Sequence, residues 1–278
     1  MTDRYAVIGN PITHSKSPQI HKMFAEQTGQ DISYEAILAP LDGFPAKVDE
    51  LRTKGYKGCN VTVPFKLHAY NYVGQNITTR GLEAIAVNTI KFDGEITLGD
   101  NTDGAGLILD IEHDLRLSLQ GKRVLLMGTG GAARGVLVPL VLARIQRVVI
   151  ACRSLKRAEE MLPHGSQFLE DKFGTKIAIN NYTDLGNEQF DVVINATSSG
   201  LSDDMPPLPL NIFAPSALAY DMMYGRETPF MKFARTYGAA VVSDGLGMLV
   251  EQAAESFFIW RGVHPETAPV IAALRQQQ

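Results

Sequence analysis

Short apolar runs alternate along the chain with longer stretches whose apolar residues recur at helical spacing. The first half has an apolar run at 5–9, a helical stretch from Pro18 and a second run, GCNVTV, at 58–63. The second half has five further apolar runs, at 123–128, 148–152, 190–196, 217–222 and 239–245. Strands that alternate with helices predict an α/β fold with mainly parallel sheets.

The pattern changes character at 100–106, where DNTDGAG forms a small polar loop before a helical stretch. We predict that 105–243 forms a dinucleotide-binding domain. The segment 1–104, together with 244–278, is predicted to form a substrate-binding and catalytic domain. The long apolar helix near 247–261 is assigned to the first domain because a dinucleotide-binding unit does not need it.

Composition excludes several classes of protein. Hydrophobic residues make up 45% of the 278 positions and charged residues 20%, which indicates a globular chain. The formal charge is −4 without a long run of one sign, so we expect no nucleic-acid partner. Cys59 and Cys152 do not form a disulfide framework or a metal-binding spacing. No secretory signal or membrane span of about 20 apolar residues occurs, so we expect a cytoplasmic protein.

A glycine-rich turn at 128–133, GTGGAA, matches a variant of the dinucleotide fingerprint G-x-G-x-x-G. It directly follows an apolar strand and opens a helical stretch, and this context distinguishes it from an ordinary turn. The glycines let the backbone approach a pyrophosphate, and the helix N-terminus supplies free N–H groups. We therefore predict cofactor contacts from Gly128, Gly130, Gly131, Ala132 and Ala133.

The end of the next strand indicates which dinucleotide binds. NAD sites place an acidic residue about 20 residues after the fingerprint, where this chain has Cys152, Arg153 and Ser154. We predict one helix over about 155–170, on which Arg153 and Arg157 share a face at i and i+4 and Ser154 is the N-cap. These groups suit a 2′-phosphate and predict NADP; the alternative is two solvated surface arginines.

The first half also contains polar groups that a core does not need. Ser17, followed by Pro18, is predicted to be an N-cap, and Ser15 lies beside it. Two hydroxyls at a helix N-terminus suit a carboxylate ligand. Simple capping would explain Ser17 but not Ser15.

Three further polar groups stand at predicted strand ends. Asn60 and Thr62 are predicted on one face of a strand, and Lys66 stands just past its end. Such a lysine is by default a surface charge, but Asn88 at another strand end and Asp103 in the polar loop favour a functional site. A lysine, an aspartate and an asparagine at strand ends suit a polyhydroxylated ketone.

Metal sites are not predicted. DNTDG would need a glutamate at the twelfth position to form a calcium loop, and that position is Ile111. The six histidines show no ligand spacing with cysteines or carboxylates.

Eight motifs carry a resemblance over about residues 5–262: GNPITHSKSP, NVTVPFK, AVNTI, GDNTDG, GTGGAARG, INATSSG, YDMMYG and DGLGMLVEQA. In this order they resemble the shikimate dehydrogenases. The resemblance implies a reversible NADP-linked reductase of 3-dehydroshikimate in aromatic amino acid biosynthesis. It also implies a mostly parallel substrate domain, a doubly wound Rossmann-type NADP domain and an active site in the cleft between them.

The resemblance implies residue roles as well. Lys66 and Asp103 would be catalytic. The other implied contacts are Ser15, Ser17 and Tyr224 for the substrate carboxylate, Thr62, Asn88 and Gln252 for ring hydroxyls, and Thr197, Gly245 and Met248 for the cofactor. Asn60 is also expected to bind substrate. The chain departs from the family where Cys152 replaces a common asparagine, and where Thr129 and Met223 replace a frequent alanine and phenylalanine.

Two alternatives stay open. A quinate/shikimate dehydrogenase shares most motifs and often uses NAD, but the basic turn at Arg153 argues against it. A redox-sensing relative would bind NADP(H) without turnover, but it would need neither Lys66 nor Asp103. We expect a monomer or a homodimer with a small-molecule substrate.

Overall fold

The computed structural model describes residues 2–162, 165–197 and 204–277. In chain order, the elements up to the polar loop are β1 (Asp3–Gly9), α1 (Ser17–Thr28), β2 (Ile32–Leu38), α2 (Phe44–Thr53), β3 (Gly58–Val61), α3 (Lys66–Val73), α4 (Thr79–Ala84), β4 (Thr89–Asp93) and β5 (Ile96–Asp100). The remaining elements are α5 (Asp103–Leu109), a π-helical turn (Asp110–Asp114), β6 (Arg123–Met127), α6 (Gly131–Leu142), β7 (Arg147–Cys152), α7 (Leu155–Glu159), α8 (Ser166–Phe173), β8 (Lys176–Asn181), a 3₁₀ turn (Tyr182–Asp184), β9 (Phe190–Asn195), β10 (Phe213–Asp221), α9 (Pro229–Thr236), β11 (Val241–Asp244), α10 (Leu246–Arg261) and α11 (Ala268–Arg275).

The chain divides into two compact units. The first contains the residues up to Gly106 and Leu249–Gln277, and the second contains Leu107–Met248. The chain therefore passes between the units within α5 and within α10. These crossings lie two and five residues after the boundaries predicted from the sequence.

The first unit contains a five-stranded sheet in the order β2-β1-β3-β4-β5. β1 pairs in parallel with β2 and β3, whereas β4 is antiparallel to both of its neighbours. Four of the five strands therefore run in one direction. As a result, the carboxyl ends of β3 and β5 and the start of the reversed β4 lie at the same edge of the sheet.

Packing in the first unit follows the apolar pattern of the sequence. Ile8 and Cys59 of the sheet are fully buried with Phe44 of α2 and Phe65. The two phenylalanine rings stack with centroids 5.2 Å apart. This core fixes the segment after β3, on which Lys66 lies, against the sheet.

The second unit is a six-stranded parallel sheet in the order β11-β10-β9-β6-β7-β8. Counted from β6, this is the 3-2-1-4-5-6 order of the doubly wound dinucleotide-binding fold, which confirms the predicted fold class. Alternate residues of β6 enter separate cores, Val124 and Leu126 in one and Leu125 and Met127 in the other. Both faces of the sheet are therefore covered by apolar side chains, as all-parallel sheets require.

One helix prediction in the second unit is wrong. The stretch 155–170 is not a single helix but two, α7 and α8. Gly165 precedes α8 with a φ of 85°, which lies outside the right-handed helical region. The apolar spacing of the sequence continues across this interruption and so does not indicate it.

In the part of the chain that the structure describes, no helix is long and apolar enough to cross a membrane. The same residues contain no group of three or more His, Cys, Asp or Glu side chains that could hold a metal ion.

Candidate active site

The topology of the first unit brings Lys66, Asn88 and Asp103 to one edge of its sheet. Lys66 is the first residue of α3, five residues after β3 ends. Asn88 directly precedes the reversed strand β4, and Asp103 follows β5 as the first residue of α5. Three segments that are far apart in the sequence therefore supply polar side chains to the same place.

Lys66 and Asp103 form an ion pair. The distance from Lys66 Nζ to Asp103 Oδ2 is 2.5 Å, and the two side chains are only 13% and 5% exposed. A charge-assisted hydrogen bond with so little water around it is stronger than one at an open surface. The pair thus holds an ammonium group in a fixed and mostly dry position.

Asn88 is the centre of the network around this pair. Its Nδ2 donates to Asp103 Oδ1 at 2.9 Å, to Thr102 Oγ1 at 2.9 Å and to Gln252 Oε1 at 3.3 Å. Its Oδ1 accepts from the backbone N–H of Thr102 and from Thr89 Oγ1. Because one carboxylate oxygen of Asp103 is held by Asn88 and the other by the lysine, the carboxylate cannot rotate freely.

The loop before Asp103 is itself held by side chains that the sequence analysis did not assign. Asn101 Oδ1 accepts the backbone N–H of Asp103 at 3.0 Å, and Asp100 Oδ1 accepts that of Asn101 at 2.7 Å. The Asp100 carboxylate also receives two hydrogen bonds from Arg80, whose guanidinium bridges to Glu255. The polar loop DNTDG is a signal for such bonding, but nothing in the sequence indicates Arg80 as the partner.

Thr62 lies one residue past the end of β3 at Val61, although its N–H still donates to the Ile8 carbonyl oxygen of β1 at 2.9 Å, and the predicted shared face of Asn60 and Thr62 stays a prediction. Asn60 is buried; its Oδ1 accepts from Tyr34 at 2.7 Å, and its Nδ2 donates to Ser256 Oγ at 2.9 Å. Thr62 is half-buried, and its hydroxyl makes no hydrogen bond to a described residue. The asparagine thus supports the network from within, while the threonine hydroxyl is available for a ligand.

The predicted capping of α1 also needs correction. The helix begins at Ser17, and the residue in the N-cap position is Lys16. Ser15 Oγ accepts the backbone N–H of Ser17 at 3.3 Å, so Ser15 performs the role that was assigned to Ser17. The two serines lie at the start of the helix as predicted, Ser17 buried and Ser15 half-buried.

The glycine-rich turn of the second unit lies between β6 and α6. Gly128 has a φ of 105°, and a Cβ there would be 3.2 Å from the Ala196 carbonyl oxygen and from Thr197 Cγ2. The backbone angle therefore favours glycine, and the space beside it is tight for a side chain. Thr197, a predicted cofactor residue at the end of β9, is thus directly beside the turn. β6 and β9 flank the point where the strand order reverses.

The N-terminus of α6 has the properties of an anion site. Gly130 is the N-cap residue, and no side chain of a described residue accepts the first N–H groups of the helix, which begins with Gly131, Ala132 and Ala133. A Cβ built on Gly130 meets no heavy atom of the described residues within 4 Å. Free N–H groups beside open space fit a dinucleotide pyrophosphate.

Arg153 lies between β7 and α7, outside the helix. The helical spacing predicted for Arg153 and Arg157 is therefore wrong, although Ser154 does occupy the N-cap position. Both arginines are exposed, and neither forms an ion pair with a described residue. Arg153 directly after β7 and Arg157 within α7, which have no ion-pair partner among the described residues, are suited to the 2′-phosphate of NADP.

Cys152, which stands where the family commonly has asparagine, is buried in the core of the second unit. Its thiol donates to the Ser154 carbonyl oxygen at 3.3 Å, and burial raises the pKa of the thiol. The side chain therefore packs as a neutral group and offers no amide to the cofactor.

The other predicted cofactor residues follow strands at the same edge. Gly245 directly follows β11, and Met248 lies in the first turn of α10 with its N–H donating to Asp110 Oδ2 at 3.0 Å. Tyr224 follows β10 in the second unit, whereas Ser15 and Ser17 belong to the first. Their predicted joint binding of a carboxylate stays a prediction.

A doubly wound sheet with an uncapped glycine turn, on a chain that also carries a buried lysine–aspartate pair, defines a nicotinamide-dependent oxidoreductase of the α/β class. Family comparison refines this class. The model for the shikimate dehydrogenase substrate binding domain matches residues 7–90, that for shikimate / quinate 5-dehydrogenase matches 111–202, and that for the shikimate 5′-dehydrogenase C-terminal domain matches 245–275. The chain belongs to the shikimate dehydrogenase family.

Individual relatives agree with this assignment. A shikimate dehydrogenase (NADP(+)) of Methylobacillus flagellatus is 55% identical over 273 residues, which cover 98% of this chain and 99% of the relative. The Ael1 enzyme of Pseudomonas putida has a TM-score of 0.87 and 44% identity over 98% of each chain. The Thermus thermophilus shikimate 5-dehydrogenase, solved with NADP(H) and shikimate, has a TM-score of 0.83 and 30% identity over the whole of both chains. The predicted family, oxidoreductase class and cofactor are confirmed.

Proposed function

We propose that this chain catalyses the reversible reduction of 3-dehydroshikimate to shikimate, with Lys66 as the proton donor and Asp103 as its partner. One observation carries the proposal: the 2.5 Å ion pair is nearly buried, and its carboxylate is fixed by Asn88. Such a pair is suited to a ketone that must gain a proton in a defined position. The curated relatives, which carry the name of this activity and of NADP, support it.

When bound, NADPH supplies the hydride that reduces the ketone carbon. Negative charge then develops on the ketone oxygen, and the Lys66 ammonium stabilises this charge and donates a proton to the oxygen. Asp103 holds the ammonium through Oδ2 and accepts a hydrogen bond from the neighbouring substrate hydroxyl. In the reverse direction Lys66 takes the proton back from the alcohol.

The remaining polar groups of the first unit bind and orient the substrate ring. Thr62 offers a hydroxyl that makes no hydrogen bond to a described residue, and the side chains of Asn88 and Gln252 meet beside Asp103. Ser15 and Ser17, with Tyr224, bind the substrate carboxylate. Asn60 contributes by holding the segment of Asn88 in place, since its Nδ2 donates to the Asn88 carbonyl oxygen at 3.2 Å.

Two finer features accompany this function. Both cysteines are buried and free, which suits a reducing cytoplasmic compartment. The chain acts as a monomer or a homodimer, which sedimentation at two concentrations distinguishes.

The test compares the wild type with Lys66→Ala. The wild type should oxidise NADPH with 3-dehydroshikimate faster than NADH, and should reduce NADP with shikimate faster than with quinate. Lys66→Ala should lower kcat by about 10²–10⁴-fold, because a positioned proton donor contributes that much, with a smaller effect on KM. A variant with near-normal kcat would remove Lys66 from the mechanism, and a wild type that prefers quinate would identify the alternative enzyme.

A further inference from the structure

Three polar side chains end three neighbouring parallel strands of the second unit. They are Asn195 of β9, Asp221 of β10 and Asp244 of β11, and all three are buried. The strand register places Asp221 directly opposite both Asn195 and Asp244. A continuous polar row therefore crosses the carboxyl edge of the sheet, where the chain leads into the predicted cofactor residues Thr197 and Gly245 and the predicted substrate residue Tyr224.

The Asp221 carboxylate accepts three hydrogen bonds. Oδ1 accepts the backbone N–H of Met223 at 2.9 Å, and Oδ2 accepts from Thr228 Oγ1 at 2.5 Å and from Asn195 Nδ2 at 3.1 Å. Thr228 is also the N-cap of α9, where its hydroxyl accepts the N–H of Met231. One fully buried carboxylate thus fixes both the beginning and the end of the loop that contains Tyr224.

Asn195 connects the Asp221 carboxylate to the loop after β9, which contains Thr197. Its Nδ2 donates to Asp221, and its Oδ1 accepts both the backbone N–H and the hydroxyl of Thr197, at 3.1 and 2.7 Å. Because an amide has one donating and one accepting end, the carboxylate sets which way the amide points. The position of Thr197 is thereby connected to that of Asp221.

The loop after β11 rests on the same structure. Gly245 donates its N–H to the Met223 carbonyl oxygen at 2.9 Å, and a Cβ on Gly245 would be 2.4 Å from the Met222 carbonyl oxygen. The Asp244 carboxylate accepts the N–H of Leu246 at 3.3 Å. The Asp221 carboxylate is therefore bonded directly to the loops that contain Tyr224 and Thr197, and it is connected through Met223 to the loop that contains Gly245.

We infer that Asp221 is a positioning residue for the nicotinamide half of the cofactor site. The inference rests on the proposed function, since it concerns how the cofactor of that reaction is held. The adenosine half is proposed to bind at the glycine turn and at Arg153, which follow β6 and β7 on the other side of the strand-order reversal. Loss of the Asp221 carboxylate should therefore weaken binding of the nicotinamide half of the cofactor and leave binding of the adenosine half unchanged.

The experiment measures the binding of two ligands to Asp221→Asn and to the wild type. NADPH binding is followed by its fluorescence, and binding of adenosine 2′,5′-bisphosphate, which has no nicotinamide, by calorimetry. The Kd for NADPH should rise by about 10- to 100-fold, because hydrogen bonds to a charged group are lost. The Kd for adenosine 2′,5′-bisphosphate should not change.

A matched double variant supplies the control. In Asn195→Asp with Asp221→Asn, the amide and the carboxylate exchange places, so that a donor again faces an acceptor across the two strands. This double variant should bind NADPH nearly as tightly as the wild type. Asn195→Asp alone places two carboxylates opposite each other and should bind NADPH more weakly. If Asp221→Asn does not fold, Thr228→Val removes a hydrogen bond that Asp221 accepts, leaves Thr197 beside the glycine turn untouched, and should show the same selective loss.

Four outcomes would overturn the inference: equal weakening of both ligands, unchanged NADPH binding, selective loss of the bisphosphate, or no recovery in the exchanged pair. A wild type that binds neither ligand would instead contradict the proposed cofactor site. The two failures are therefore distinguishable.

Discussion

The first unit, which is proposed to bind the substrate, and the second unit, which is proposed to bind the cofactor, build their candidate sites from different parts of the polypeptide. In the first, side chains hold side chains: Lys66 is fixed by Asp103, and Asp103 by Asn88. In the second, the region predicted to bind a pyrophosphate is made of backbone, with a positive φ at Gly128 and N–H groups at the start of α6 that no described side chain caps. Proton transfer requires particular side-chain groups, whereas phosphate binding requires only backbone N–H groups and open space beside them.

This difference predicts how each site responds to substitution. A site made of interlocked side chains loses its function as a unit when one member is removed. A site made of backbone tolerates changes of side-chain chemistry but not an added Cβ where the chain is crowded. In the second unit, Arg153 is proposed to recognise the 2′-phosphate of NADP through its side chain. Its substitution can therefore be compared with that of Lys66 in the first unit.

The largest expected effect concerns the double variant Lys66→Ala with Asp103→Asn. Because the two residues act as one unit, each single variant and the double variant should lose about the same factor in kcat, about 10²–10⁴-fold. Steady-state kinetics with saturating NADPH and 3-dehydroshikimate measures these values. If the single losses multiplied in the double variant, the two residues would act independently, and the side-chain network would not function as a unit.

A smaller effect is expected for Arg153→Ala. Loss of a charged hydrogen-bond donor to the 2′-phosphate should raise KM for NADPH by about 10- to 100-fold, while the parameters for NADH stay unchanged. Lys156→Ala, which removes an exposed charge from the neighbouring helix α7, is the matched control and should leave both unchanged. Equal loss with both cofactors would show that Arg153 does not distinguish them.

The sequence predicted best those features that depend on local residues. The strand–turn–helix around Gly128 follows from the apolar run, the glycines and the helical spacing, all within about twenty positions. The edge shared by Lys66, Asn88 and Asp103 followed from strand ends and from the family motifs. The hydrogen bonds among these three side chains could not be predicted, because they depend on the order of the strands in the sheet. Local sequence patterns do not contain that order.

Other features depend on partners that are distant in the chain or on single residues at element ends. Arg80 bridges Asp100 to Glu255, which is 175 residues from Arg80 in the chain, and no spacing in the sequence indicates this contact. The shift of the N-cap from Ser17 to Lys16 is a displacement of one residue, within the uncertainty of helix ends. The two-residue spacing of Asn60 and Thr62 predicted that both belong to β3. Such spacing does not indicate where a strand ends, and β3 ends at Val61.

The effect that is smallest at neutral pH, and that grows in acid, should act on the first unit through His21. This side chain is fully buried; its ring stacks on Tyr34 with centroids 4.2 Å apart, and neither nitrogen has a hydrogen-bond partner among the described residues. Burial lowers its pKa to about 3. Between the ordinary pKa of about 6.5 and pH 3, the unfolded chain binds a proton that the folded chain excludes, so stability falls as the pH falls.

His21→Leu removes the titrating group at similar volume and should cost less than about 1.5 kcal/mol at pH 7. Below pH 6 the wild type should lose up to about 1.4 kcal/mol per pH unit through His21, and the variant should lack this contribution. Urea unfolding between pH 4 and 7 measures how the free energy of unfolding of each protein depends on pH. Hydrogen exchange should detect the acid effect in α1 and β2 before it reaches β6 and β9.

Acid should also affect ligand binding. The Tyr34 hydroxyl donates to Asn60, so weakened packing around His21 should reduce shikimate binding before NADPH binding. Equal slopes of unfolding free energy against pH in the two proteins would mean that other groups cause the acid sensitivity of the first unit.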